Sequence, residues 1–234
     1  MPAADATVRI ALIHALEESV QPARQAFARH WPEAFAFDLL DTSLAVDRAD
    51  AGRLDEAMTT RFHTLADYAV TFAGRGGHTA GILFTCSAFG SAIDAVKARS
   101  PVPVLRPNES AFEAALQRGD RLGLVVSFEP SRLSLEAELR AAAAAHGREV
   151  TVRSVTAEGA LEALKAGDGD RHDALAARAA AGLGDVDAII LGQFSLARAH
   201  DRVAAATAVP VVTTPRSAVE ALRAMVAAAT SPED

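Results

Sequence analysis

Cys86 is the only cysteine in this chain of 234 residues. It lies in Gly81-Ile-Leu-Phe-Thr-Cys-Ser-Ala-Phe89, where an apolar run ends in a small polar cluster ahead of a helix-like segment. This order reads as a parallel strand that delivers Thr85, Cys86 and Ser87 to the start of a helix. Backbone N–H groups and the positive end of the helix dipole at that point favour a thiolate, the reactive form of the side chain. The alternative is a buried, inert cysteine, a common fate for a free thiol.

Other polar residues fall at strand ends. His14 closes the run Val8–His14, where it could act as a general acid or base, orient a ligand, or serve as a hydrogen-bonded structural histidine. Asp41 and Ser43, with Thr42 between them, follow the second apolar run and either bind substrate or form an Asx or Ser turn. Glu109 precedes a helix, either polarising a substrate amine or Cys86, or complementing the helix dipole. Ser127 and Phe128 end a further strand, and Thr213 and Thr214 end the last, with hydroxyls suited to a carboxylate. The hydroxyls of Thr85 and Ser87 suit the same purpose or ordinary helix capping. The remaining histidines show no metal-ligand spacing, and there is no glycine-rich phosphate loop, so neither a metal nor a nucleotide cofactor is expected.

The elements that position these residues alternate strand and helix. Strands are expected at Val8–His14, 36–40, the Cys86 run, 102–105, 121–128, 149–155, 187–192 and 209–213. Helices are expected at 18–30, 54–73, 91–97, 110–117, 131–146, 157–165, 171–182, 196–206 and 217–228, the last with Ser217 as N-cap and Glu220 as its capping-box partner. Residues 1–7 read as a frayed tail, and 41–47 as a polar loop. The alternation predicts a parallel α/β architecture.

The chain also repeats. Arg9–Ser19 lies over Arg121–Ser131, and Gly81–Ala114 lies over Ala188–Ala221 without a gap. Val102-Pro103 falls on Val209-Pro210, Ser110-Ala111 on Ser217-Ala218, and Glu113-Ala114 on Glu220-Ala221. Two pseudo-symmetric halves follow, each a mostly parallel sheet flanked by helices, with a ligand cleft expected between them. The first half takes residues 1–107 plus 214–234 and the second 108–213. The position matching Cys86 is Gln193, in Leu191-Gly-Gln-Phe-Ser195. Gln193 either holds a substrate carbonyl or carboxylate or fills space, and Ser195 assists it or caps the following helix.

The Thr85-Cys86-Ser87 turn, the Leu191-Gly192 turn at the matching place and the loop after Val211-Val212 resemble the aspartate/glutamate/hydantoin racemase superfamily. The likeness runs in element order over nearly the whole chain. It implies a cofactor-independent isomerase or racemase acting on a small carboxylate or cyclic amide. Family racemases carry a cysteine at each matching turn: one thiolate removes a proton and the other thiol returns one from the far face. Here the second position is Gln193, which is neither acid nor base near neutral pH, so Cys86 is expected to act alone. Isomerisation by thiol addition comes first, a lyase or decarboxylase second and a thiol hydrolase third. The rival from another class is a metabolite-binding protein on the same fold.

Bulk properties bound the rest. The net charge is −7 with acidic and basic residues interspersed and no basic block, so nucleic acid is not an expected partner. No apolar run reaches membrane-spanning length and the first residues lack a signal peptide's pattern, which predicts a cytoplasmic protein. The likeness also implies a homodimer or higher homo-oligomer. One cysteine excludes an intramolecular disulfide.

Overall fold

A computed structural model describes residues 8–230; the expected frayed tail at 1–7 lies outside them. The chain divides into two compact units, residues 1–107 with 218–234, and residues 108–217. Each is built on a four-stranded parallel sheet.

In the first unit the strands are β1 (Val8–His14), β2 (Ala34–Leu40), β3 (Thr79–Phe84) and β4 (Val104–Leu105), in the order β2-β1-β3-β4. The helices are α1 (Val20–His30), α2 (Ser43–Ala51), α3 (Glu56–Thr71) and α4 (Gly90–Arg99). Continuous apolar runs suit strands buried on both faces, and Ile10–Ile13 and Ile82–Phe84 are buried throughout. One face packs against α3 and α4, where Phe62 meets Phe84 and Phe89 at ring-centroid distances of 5.3 and 4.8 Å. On the other face Gly81 admits the last helix, α10 (Thr214–Thr230). A Cβ at Gly81 would stand 3.1 Å from Leu222 Cδ1 and 3.2 Å from Val226 Cγ2, closer than a packed core accommodates without shifting.

The second unit holds α5 (Glu109–Leu116), β5 (Arg121–Val126), α6 (Arg132–Ala145), β6 (Thr151–Thr156), α7 (Ala160–Lys165), α8 (Gly169–Ala181), β7 (Ala188–Leu191), α9 (His200–Ala206) and β8 (Val211–Thr213). Its sheet order, β6-β5-β7-β8, repeats that of the first unit element for element. The internal overlay is thus matched by topology: β1 corresponds to β5, β3 to β7 and β4 to β8.

Three expectations need correction. The polar stretch after β2 is not all loop, since it contains α2. Only Leu44 of that helix is buried, so its sequence carries almost no apolar period. The last helix begins at Thr214, so Ser217 lies inside it and does not cap it. Pro215 is tolerated there because the first turn needs no N–H donors. The segments directly after Leu16, Cys86 and Gln193 are short 3-10 turns (Glu17–Ser19, Ser87–Phe89 and Phe194–Ala199) rather than α-helix.

Candidate functional site

In the first unit the polar residues gather at the carboxyl ends of β1 and β3. Thr85 continues β3, its N–H bonded to Ile13 O at 3.1 Å. Phe89, fully buried against Phe62, anchors the far side of the turn. Cys86 sits between them in an extended conformation. Protein surrounds its sulfur, yet the residue keeps a partly exposed surface. Burial pushes the thiol up from its ordinary value, and the opposing pull of the Ala88 N–H is smaller. The expectation that this turn favours thiolate is therefore corrected. The reason is local: a single 3-10 turn supplies one facing N–H, too little to offset desolvation.

Next to Cys86 lies a buried polar network. His14 is 0% exposed. Its Nε2 stands 3.0 Å from Asp38 Oδ1, and its Nδ1 stands 2.8 Å from Thr85 Oγ1 and 2.9 Å from Ser19 Oγ. Arg24 Nε donates to the other Asp38 oxygen at 2.8 Å. Ser19 Oγ donates to Leu16 O at 2.7 Å. Proton accounting selects one arrangement. Nε2–H donates to the carboxylate, so Nδ1 carries the lone pair and accepts the Thr85 hydroxyl proton. Burial lowers the His14 pKa and outweighs the raising effect of Asp38, which keeps the ring neutral. Both nitrogens are engaged by protein groups, the arrangement of a hydrogen-bonded structural histidine. His14 is a positioning residue for Thr85, the neighbour of Cys86.

Asp41 and Ser43 form the turn of the alternative reading. Asp41 Oδ1 accepts from Ser43 N at 3.0 Å and Ser43 Oγ at 2.6 Å, and Arg61 Nη2 donates to Asp41 Oδ2 at 2.7 Å. Burial pushes the Asp41 carboxyl up, but the Ser43 and Arg61 hydrogen bonds and the Arg61 charge outweigh it, and the pKa is lowered. Ser87 is half-buried at the head of the 3-10 turn.

In the second unit Gln193 leaves β7 where Cys86 leaves β3. Its Oε1 accepts from Ser127 N at 2.7 Å and lies 3.3 Å from Ser127 Oγ, and its Nε2 donates to Ser131 Oγ at 2.8 Å. The amide thus ties the β7 end to the β5 end. The side chain is a strut with oxygen and nitrogen both engaged, and its amide is neither an acid nor a base near neutral pH. Replacing Gln193 with alanine is expected to lower stability by about 1–3 kcal/mol, because the Ser127 N–H loses its acceptor; urea unfolding measures it. Ser127, Ser195, Thr213 and Thr214 are buried, and Phe128 is half-exposed. Glu109 opens α5, half-buried.

Sequence reasoning missed Asp38, Arg24, Ser19 and Asn108. Asp38 is the one acid in the otherwise apolar strand Ala34–Leu40, and that contrast was the available signal. Asn108 is 2% exposed, and both its side-chain oxygen and nitrogen lack hydrogen-bond partners, as does Thr214 Oγ1. Among the described residues no group of three or more His, Cys, Asp or Glu side chains is gathered as a metal site requires.

Comparison with known proteins adds to this geometry. No curated protein matches the chain by sequence. Among solved structures, a glutamate racemase isoform from Bacillus anthracis superposes with a TM-score of 0.71 at 12% identity, over 96% of this chain and 84% of that one. An allantoin racemase from Pseudomonas fluorescens gives a TM-score of 0.71 at 17% identity, over 97% and 94%. An aspartate racemase homologue from Pyrococcus horikoshii gives 0.67 at 16% identity, over 94% and 99%. At these identities the likeness speaks for the fold. The family model described as Asp/Glu/Hydantoin racemase matches residues 10–222. With nearly the whole of both repeats inside that match, the chain belongs to the Asp/Glu/hydantoin racemase family.

Proposed function

We propose that the protein is a cofactor-independent isomerase or racemase acting on a small carboxylate or cyclic amide, with Cys86 as its sole thiol. The observation that carries this reading is the placement of the chain's only cysteine. It stands partly exposed at the carboxyl end of β3, on a turn braced by Phe89 on one side and by Thr85–His14–Asp38 on the other. Strand ends of parallel sheets are where such folds bind ligands.

A raised pKa gives the thiol a definite part. At neutral pH it is mostly protonated, and the working form is the minor thiolate, which the Ala88 N–H faces. The thiolate takes the substrate's α-proton, the C–H electron pair stays on the substrate as an enolate-like carbanion, and the thiol so formed returns a proton to that carbon, which restores the thiolate. One group on one face tends to return the proton where it was taken. The repeat position matching Cys86 holds Gln193 and not a second thiol, so inversion depends on proton delivery from solvent. The predicted signature in D2O is α-carbon exchange that outpaces inversion at least tenfold, followed by NMR and optical rotation across amino acids, hydantoins and 2-substituted carboxylates. No exchange with any of them would overturn the reading. The raised thiol pKa favours a second one, a binding protein that takes up such a ligand without turnover. A compound that raises the melting temperature but undergoes no exchange would support it. No helix among the described residues is long and apolar enough to cross a membrane.

A further inference from the structure

A cavity of about 260 Å³ opens in the first unit, on the α3 side of the β1–β2 edge, lined by Arg9, Phe37, Asp38, Leu39, Tyr68 and Phe72, among others. Cys86 does not line it, but Asp38 both lines it and binds His14 in the network beside the Cys86 turn. Arg9 lies five residues before His14 on β1, about 16 Å away at roughly 3.3 Å per residue, toward the opposite end of the sheet.

The charges around the cavity do not cancel. Asp38 is committed to His14 and Arg24. Arg9 has no carboxylate within ion-pair distance among the described residues. Its Nη1 donates to Arg75 O over a long 3.4 Å, while its Nε is buried without a partner. The guanidinium rests on aromatic faces, 4.1 Å from the Phe37 centroid and 5.3 Å from that of Phe35. It fits there because residue 74 is glycine: a Cβ at that position would stand 2.8 Å from Arg9 Nη1. Nε is closed off inside the protein, and Nη2, which has no hydrogen-bond partner among the described residues, is the donor left to meet a carboxylate oxygen.

The outer wall is apolar. Tyr68 and Phe72 are 55% and 56% exposed, and their rings pack edge to face at 5.4 Å. They sit one helical turn apart, so both rings reach the same mouth. Large exposed aromatics beside an arginine with no ion pair among the described residues suit a ligand with an acidic head and an apolar body. The volume limits that body to about one ring, since it falls just below the usual range of about 300–1,000 Å³ for drug-sized pockets.

We propose that this cavity is a second binding site, taking a small monocarboxylate with a single aromatic or branched alkyl group. Arg9 pairs with the carboxylate, and Tyr68 and Phe72 cover the apolar body. Occupancy gives the guanidinium a counter-charge and covers apolar surface that is otherwise wet.

Calorimetric titration of the intact protein with phenylacetate tests this. Saturable binding is expected, weakened at least tenfold in Arg9→Gln and at least threefold in Tyr68→Ala, and unchanged in Cys86→Ser. Phenylacetamide, of the same shape without the charge, should bind at least tenfold more weakly. Tyr68 is exposed, so its variant keeps the test open should Arg9→Gln fail to fold. Any of three binding results would overturn the proposal: no saturable binding, binding indifferent to both Arg9→Gln and Tyr68→Ala, or binding lost in Cys86→Ser, which would place phenylacetate at the Cys86 turn. Self-association that Phe72→Ala abolishes would assign the face to a second copy of the chain and equally overturn it. Because Cys86→Ser leaves this site intact, failure here is distinguishable from failure of the proposed activity.

Discussion

Replacing Cys86 by serine is expected to lower turnover of an identified substrate at least about a thousandfold while leaving the fold intact, because a hydroxyl is a far weaker acid than a thiol and a far weaker nucleophile when ionised. The side chains are nearly isosteric. The sulfur contributes packing against the Phe62–Phe84–Phe89 core but no paired bond to another cysteine. The expected change in melting temperature is therefore small, and the ratio of kinetic to thermal effect separates a reactive thiol from a structural one. A variant that keeps activity within a few-fold of the parent would remove Cys86 from the chemistry.

The second large effect belongs to His14. Replacement by leucine should cost about 2–4 kcal/mol, since it strips hydrogen bonds from Asp38 and Thr85, both buried or nearly so. Asp38 would keep only Arg24, and the Thr85 hydroxyl would lose its acceptor. The network also carries a pH signature. The folded-state pKa of His14 lies below the ordinary value of 6.5 because burial disfavours the charged ring. The unfolded chain then binds the proton more readily, so this contribution to stability is complete above about pH 6.5 and drains away as the pH falls toward the folded-state pKa. His14→Gln removes that titration. Urea midpoints taken between pH 7.5 and 5 should fall more steeply for the parent than for the glutamine variant; parallel slopes would contradict the buried, neutral histidine. A kinetic counterpart follows from the contact with Thr85. His14→Gln should alter the rate at which iodoacetamide reaches Cys86, although residue 14 does not touch the sulfur, whereas a remote destabilising substitution should not.

The sequence made the strands legible because both sheets are parallel and buried, so their runs are nearly continuous in apolar residues. The duplication was legible for the same reason, and the shared strand order of the two units matches it. What stayed hidden was whatever depends on contacts between distant residues. Helix α2 presents one buried side chain to the core and looks like loop. The partners of His14 stand 5, 24 and 71 positions away, and no spacing rule joins them. The thiol stands at the strand end that the apolar run marks, and burial there raises its pKa. The strand-to-helix transition promised a helix dipole, and the structure puts a three-residue 3-10 turn there.

The proposed chemistry begins every turnover at one sulfur, and the chain has no other thiol to confuse a chemical probe. The most direct test is titration of the intact protein with iodoacetamide near pH 9, following carboxamidomethylation by mass spectrometry and turnover in the same samples. The account predicts that activity falls in proportion to modification and vanishes at one adduct per chain, with a modification rate that rises with pH beyond the usual free-thiol value of about 8.5. Full turnover by a completely carboxamidomethylated protein would contradict it.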